Sequence, residues 1–454
     1  MARLLKAVID DPSPGPSVRP EPKLEPATAG ALTAAQRTAM RKTLVSNFDK
    51  KYKGWGTIHK YLDADIIEYS LGEDAEWERR ARETVAAARK LIDPVWGGIY
   101  QYSTDGDWAH PHFEKIMSMQ AEDLRTYANA YARWKDPADL RAAEQIRHFI
   151  ETFLSSPDGA FYTSQDADVV RGEHSGKYFA LGDAQRRAQG MPHIDTHAFA
   201  RENGWAINAL TSFYAATGDR TALERALKSA EWVLANRTLE GGGFRHDEKD
   251  GAGPYLGDNI AMARAFVSLY AATSDRAWLP RAEQTMRYIE ATFKGAAGYQ
   301  TAASHGALPV RPQLDENIAI VRTANLLQHY TGVADDRRTA EHAMRFLAAK
   351  GYAENRGILV GGILLADREL GAPPLHITVV GAKSDPAAQA LHAAALALPA
   401  PYKRLEWLDR NEGPLPNADV EYPPSEKAAA YLCTADSCSA PITDPAKLHL
   451  PKRR

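Results

Sequence analysis

Cysteine is almost absent from this chain: Cys433 and Cys438, in YLCTADSCSAP, are the only two among 454 residues. Two thiols cannot complete a four-ligand zinc site, and with no Cys-x-x-Cys pair there is no dithiol redox centre either. In a reducing compartment they read as two ordinary thiols, a disulfide between them being sterically allowed but disfavoured. Long apolar runs are also missing. The Ala-rich stretch from Leu391 to Ala400 is about half the length that crosses a bilayer, and MARLLKAVIDDP has too short an apolar core for a secretory signal. Nor is there an excess of one charge. Lys and Arg number 55 against 58 Asp and Glu, a net of −3, which gives no electrostatic case for nucleic acid or an anionic membrane as partner. These absences predict a cytoplasmic protein.

What is present is helical rhythm. Apolar residues are 44% and charged residues 25% of the chain, enough for a substantial core. Residues 1–31 carry a Pro-, Ala- and Glu-rich stretch that reads as a linker. From Leu32 to residue 360 amphipathic segments recur, as in Phe113, Ile116, Met117, Gln120, Leu124, Ala128 and Tyr131. Short turns separate them at Gly72, Asp136, Asp219, Asp275 and Asp335. The repeat, an αα-hairpin plus a loop of about 55 to 85 residues in all, is the mark of a helical array. Five hairpins, preceded by a helix over Leu32 to Phe48, predict an all-α dominated (α/α)6 toroid, with the twelfth helix unplaced. Residues 361–454 change character: the strand-like HITVVG, a helical stretch from Asp385, then KRLEWLD and AAAYLC predict a small α/β appendage.

The loops hold the chemistry. WGGIYQYSTDGDW, SPDGAFYTSQDAD, EGGGFRHDEKDG and GAAGYQTAASHG each follow the second helix of a pair, and each sets an aromatic after glycine. In an up-down array such loops fall at one end, so their polar side chains converge on one rim. The alternative is that the Gly-aromatic units only plug the ring. In GGIYQYSTDGDWAHPHFEKIMSMQ, His110, His112 and Glu114 alternate as metal ligands would on a strand. Pro111 suits a first helical turn, however, which would instead set His112, Glu114 and Lys115 at a helix start as an acid/base or binding cluster, and no metal is expected. Equally, they could form a buried structural network. Asp166 and Asp168, after Tyr162 and Gln165, suit glycosidic acid/base chemistry, passive sugar binding or an empty Asx turn. Asn203, Gly204, Asp258, Asp315 and Asn317 open later helices, Asp258 and Asp315 by default as N-caps. His193 and His197 precede one of these helices.

HPHFEKIMSMQA, FYTSQDADV, ENGWAINAL and AYLCTADSCSAPITDP together resemble the thioredoxin-domain-containing proteins of the DUF255 family, the group of YyaL-type and spermatogenesis-associated protein 20-like proteins. The resemblance runs from about Phe48 to the end. It implies an (α/α)6 toroid of the six-hairpin glycosidase and N-acylglucosamine 2-epimerase-like type. The matching positions are Tyr102, Asp105, Trp108, Pro111, His112, Phe113, Glu114, Lys115, Gln165, Asp166, Asp168, Asn203, Gly204, Asp258 and Asn317. Asn259 departs from the family pattern, which has Tyr there, and the DEN around Asp315 departs from its G-N-S. The thioredoxin-like domain that usually opens such proteins has no counterpart here, and MARLLKAVIDDP resembles its last helix. The expectation is therefore a toroid binding a sugar or polyol, with epimerase-like isomerase or hydrolase activity. His112, Glu114, Asp166 and Asp168 would be catalytic. Tyr102, Asp105, Trp108, Lys115, Tyr162, Gln165, Asn203, Asp258 and Asn317 would bind substrate, and no cofactor is implied. The competing expectation is a non-catalytic scaffold, or a redox-linked accessory module partnered with a thioredoxin-like domain.

Overall fold

The computed structural model describes residues 6, 9 and 24–450, apart from 171, 174, 252, 304–309, 425–426 and 435–436. Residues 1–5, 7, 8 and 10–23, which take in most of the expected linker and of the segment likened to a domain's last helix, lie outside the described residues.

Among the described residues, twelve helices build the ring: α1 (Ala34–Ser46), α2 (Ala64–Leu71), α3 (Ala75–Ala88), α4 (Met117–Trp134), α5 (Pro137–Phe153), α6 (Ala200–Thr217), α7 (Arg220–Asn236), α8 (Leu256–Thr273), α9 (Trp278–Phe293), α10 (Leu314–Thr331), α11 (Ala334–Leu347) and α12 (Val360–Gly371). Local chemistry sets several starts. Thr33 and Gln36 form a capping box on α1, while Asp63, Asp74, Asp136 and Asp219 cap α2, α3, α5 and α7. The odd-numbered helices form an outer layer and bury one stripe, as α7 does with Ala222, Ala226, Ser229, Ala230 and Val233. The even-numbered helices are buried on most sides and form the inner layer. They pack in the order α2, α4, α6, α8, α10, α12 and back to α2, closing the circle.

Closure depends on charge buried inside the wall. Arg322 of α10 binds Glu369 of α12 through two contacts, at 2.8 and 3.0 Å, and reaches Asp65 of α2 at 3.1 Å and Glu68 of α2 at 2.5 Å. Arg125 of α4 pairs with the same Glu68. Outside, Arg37 of α1 grips Asp367 of α12 at 2.6 and 3.1 Å.

The closing helix α12 corrects the expected boundary at 360, since it starts there and belongs to the ring. Its periodicity is hidden because nearly every residue is buried, and Gly361 and Gly362 imitate a break. They are there for close approach: a Cβ on Gly361 would lie 2.5 Å from Ile66 Cγ1, and one on Gly362 2.6 Å from Asp65 Oδ2.

One device repeats around the ring. The side-chain amide of an inner helix clamps the backbone of the preceding Gly-aromatic loop, accepting from its N–H and donating to its C=O. Gln120 does so at Ile99 (2.8 and 2.7 Å), Asn203 at Phe161 (2.7 and 3.1 Å), Asn259 at Phe244 (2.8 and 3.2 Å) and Asn317 at Tyr299 (2.9 and 3.0 Å). Tyr100, Phe161, Phe244 and Tyr299 are buried, so these aromatics fill the wall and do not line a pocket. Asn203 and Asn317, expected to bind substrate, are occupied in this way.

The C-terminal region is a three-stranded sheet, β1 (Leu375–Val380), β2 (Lys403–Leu408) and β3 (Ala429–Cys433), with helix α13 (Pro386–Leu396) crossing between β1 and β2. The order is β2-β1-β3, with β1 parallel to β2 and antiparallel to β3. It docks on the ring at the C-terminal ends of the inner helices: the Leu405 N–H donates to Tyr330 Oη at 3.0 Å, and Asn325 donates to Tyr402 Oη at 2.6 Å. Cys433 and Cys438 form a disulfide, contrary to the expected free thiols. After β3 the chain turns back, with the Thr434 N–H donating to the Ser437 carbonyl at 2.8 Å, which makes the two cysteines antiparallel bridge partners.

Replacing a clamp tests how far the loops depend on it. Asn259→Ala is expected to lower the unfolding free energy by about 2–4 kcal/mol, since each buried backbone group left unpaired costs about 1–3 kcal/mol; urea denaturation measures it, and an unchanged midpoint would refute the clamp.

Candidate active site

Residues 111–116 are extended and not helical, which corrects the expected helix start at Pro111. Pro111–His112 pairs with Tyr102–Ser103, and Lys115–Ile116 pairs with Ser164–Gln165, which in turn pairs with Ile194–Asp195; α4 begins only at Met117. The PHFEK and SQDAD motifs are therefore neighbours, as adjacent hairpins of a ring require. Yet Lys115 and Gln165, directly opposite one another, are fully buried. The Lys115 ammonium lies 2.8 Å from Asp93 and 2.8 Å from the Gly97 carbonyl, above the Phe149 ring. Burial draws its pKa down to about 8 against the pull of Asp93. Arg186, from the short helix Asp183–Gln189, shares Asp93 at 2.7 and 3.1 Å. This group anchors the loop wall, so Lys115 is a structural cation and not a substrate ligand.

Other expected site residues also have local duties. Trp108 is buried and donates to the Tyr52 and Lys53 carbonyls. Asp105 is exposed in a left-handed turn. Asp166 forms an Asx-type turn, accepting from the Asp168 N–H at 3.4 Å, and Asp168 accepts from the Gly172 N–H at 3.2 Å. Tyr162 packs against the ring core. His110 turns to Asp107 at 3.0 Å. His112 stacks on Tyr102 and sits 3.6 Å from Glu114, both partly exposed. Asp258 and Asp315 are inside helices whose N-caps are Tyr255 and Gln313, so neither is a cap.

The larger grouping is on the ring axis. At the N-terminal ends of the inner helices a cavity is lined by Asp65, Glu122, Arg125, Arg201, Trp205, Arg264, Asp315, Glu316 and Arg322. Helix N-termini favour carboxylates, and Glu202, Asp258, Asp315 and Glu316 occupy first turns. Glu122 is open to the cavity's solvent yet ringed by protein. That enclosure, together with Asp65 and Asp63, pushes its pKa up to about 8. Burial and neighbouring Asp315 push Glu316 up to about 8 as well. Such groups carry a proton near neutrality.

Beside the cavity stands a histidine. His246 Nδ1 lies 3.0 Å from both oxygens of buried Asp258, which also accepts from the Arg201 N–H at 2.8 Å. Burial alone would lower the His246 pKa, but the hydrogen bond to Asp258 outweighs it and the value rises. Its ring stacks on Phe199 at 3.8 Å, and Phe199 stacks on His197, which is 2.5 Å from Asp195. A Cβ on Gly257 would sit 3.0 Å from Arg201 Cδ and 3.2 Å from Glu316 Oε1. Glu316, Arg201 and the His246–Asp258 pair are thus one contiguous cluster, of which the sequence reading singled out only Asp258. Its signal was HDEKD after the third Gly-aromatic loop, and single charges inside helices that are otherwise apolar.

Glu202, His246 and Asp258 each present a ligand atom within 4.8 Å of the others, the one such cluster among the described residues with metal-ligand spacing. The Arg201 guanidinium, 3.0 Å from Glu202, already supplies positive charge there.

The ring is an (α/α)6 toroid, the fold of the six-hairpin glycosidase and N-acylglucosamine 2-epimerase-like type. The fold is that of cellobiose 2-epimerase from Bacillus thermoamylovorans, with a TM-score of 0.57 at 10% identity over 74% of this chain and 98% of that one. In sequence the chain is similar to human spermatogenesis-associated protein 20, at 21% identity over 89% of this chain and 67% of that protein. It is also similar to cellobiose 2-epimerase of Ruminococcus albus, at 28% identity over 34% of each chain. No family model matches the chain. No described helix is long and apolar enough to cross a membrane.

The raised carboxylates have a consequence for stability. The folded state holds a proton on Glu122 and Glu316 up to about pH 8, whereas the unfolded chain releases it near pH 4.3. Their stabilising contribution is therefore complete below that value and is lost as pH rises through about 8. The melting temperature should fall from pH 6 to pH 9, and the Glu122→Gln/Glu316→Gln double variant should fall less. Parallel curves would contradict the assignment.

Proposed function

We propose that the chain is a carbohydrate-active enzyme of the epimerase-like kind, moving a proton at the carbon beside the carbonyl of an open-chain sugar. The observation that carries this reading is the His246–Asp258 pair set against Glu316 and Arg201 at the cavity. Asp258 fixes the imidazole, leaving Nε2 to act as base. Glu316, protonated near neutrality, is a proton donor. In the proposed reaction the C–H electrons move toward the carbonyl as His246 takes the proton, and Arg201 steadies the developing oxyanion. Return of a proton to the opposite face of the same carbon gives the epimer; return to the neighbouring carbon gives the ketose. Trp205, with Arg201 over its ring at 4.9 Å, offers a flat face for a sugar. Similarity to two cellobiose 2-epimerases, in fold and in part of the sequence, supports the substrate class.

Incubation with aldoses and disaccharides in D2O tests this, reading deuterium at C2 by NMR. His246→Asn should cut the exchange rate by about 10²–10⁴-fold, the usual worth of a positioned base, with little change in melting temperature. Activity should be bell-shaped in pH, rising as His246 loses its proton above its ordinary value and falling through about 8 as Glu316 ionises. Full exchange in His246→Asn would refute the assignment, and sugar release from glycosides without deuterium uptake would move it to hydrolysis.

A further inference from the structure

A second chamber lies on the ring axis beyond the mouth, between the C-terminal ends of the inner helices and the appendage. Arg125, Asn208, Arg264 and Arg322 line both spaces and form the partition between them. The carboxylates facing the chamber, Glu68 and Glu369, are already engaged: Glu68 by Arg125 and Arg322, Glu369 by Nε and Nη2 of Arg322. Lys403, also in the lining, points its ammonium at the Ala395, Leu396 and Leu398 carbonyls at the end of α13.

Arg264 is different. Among the described residues it makes no hydrogen bond or ion pair, although it stands in the wall beside two other guanidinium groups. Burial and the charge of Arg322 draw its pKa down to about 10, which still leaves it cationic at neutral pH. Of the carboxylates that act on it, Asp65 and Glu369 are bound to Arg322, and Glu122 holds a proton up to about pH 8. Thr323, also in the lining, is 4% exposed, and its Oγ1 is buried without a hydrogen-bond partner. A partly exposed cation with no protein partner and a buried unpaired hydroxyl, set together on one cavity wall, describe the complement of an anion with several acceptor oxygens.

We propose that this axial chamber is a binding site for a small oxyanion, a phosphate or carboxylate group, held by Arg264 and Thr323 with Asn129 and Asn208 at its edge. The site is separate from the proposed acid/base cluster and does not rest on that reaction. Because Arg264 also faces the mouth, the anion could be a free ion or the charged end of a sugar phosphate or sugar acid, and the two are distinguished by experiment.

The test is thermal denaturation of the full chain with inorganic phosphate, at ionic strength held constant with NaCl. The wild type should show a rise in melting temperature that saturates with phosphate. Arg264→Gln should fold, since it removes like-charge repulsion and breaks no ion pair, and should bind phosphate at least about tenfold more weakly, as loss of a charge-assisted contact implies. Thr323→Val, nearly isosteric, should weaken it by a smaller factor, and His246→Asn should leave it intact. Glucose 6-phosphate and gluconate form parallel arms: tighter binding than phosphate or acetate identifies a sugar-borne anion, and equal binding a free one. Absence of a saturable rise, or the same rise in Arg264→Gln, would overturn the site. If that variant fails to fold, an unchanged phosphate response in Thr323→Val would overturn it equally.

Discussion

Everything in this molecule depends on a guanidinium that joins the two ends of a circle. Arg322 bridges the first inner helix, through Asp65 and Glu68, and the last, through Glu369, across more than 250 residues of sequence on one side. A linear array of helical hairpins has no reason to close by packing alone, since each hairpin needs only its neighbours. A buried charge supplies the reason. Left unpaired in the wall it would be strongly unfavourable, and only the closed arrangement brings three carboxylates to it. The contact is therefore a specifier of the ring as much as a source of stability.

That specification reaches the chemistry. With α2, α10 and α12 locked, the N-terminal ends of the inner helices must converge, and the carboxylates and arginines in their first turns share one cavity. Crowding then raises the proton affinity of Glu122 and Glu316. No single helix would do this. The perturbed groups are a property of convergence, as the His246–Asp258 pair is a property of a loop held against the first turn of α8.

The legibility of the chain follows the same division. The outer helices could be read because one stripe of each faces inward, and the strands of the appendage stood out as apolar runs. The closing helix could not, because a segment buried on every side has no period and its two glycines look like a turn. At the site, residues conspicuous in sequence have structural duties for a consistent reason. Lys115, Gln165, Asn203 and Asn317 are polar residues in motif-like surroundings, and burial has put most of them to work on the backbone or on Asp93. The cavity's own groups are isolated charges inside helices, and only the folded ring reveals that they meet. Compartment argues for free thiols at Cys433 and Cys438, but their antiparallel pairing at the end of β3 brings the two sulfurs together.

The amide clamps at Gln120, Asn203, Asn259 and Asn317 separate what must stay fixed from what is free to vary. Each bolts the Gly-aromatic unit to the wall, and the chain downstream then wanders before the next inner helix. After Phe244 the excursion is short; after Phe161 it runs far longer, taking in two small helices and Arg186. The ring is indifferent to the difference. Such a frame behaves like a loom whose warp is tied off, so that new lips for the mouth can be woven in by insertion or exchange while the barrel of helices, and the axis it encloses, keeps its shape.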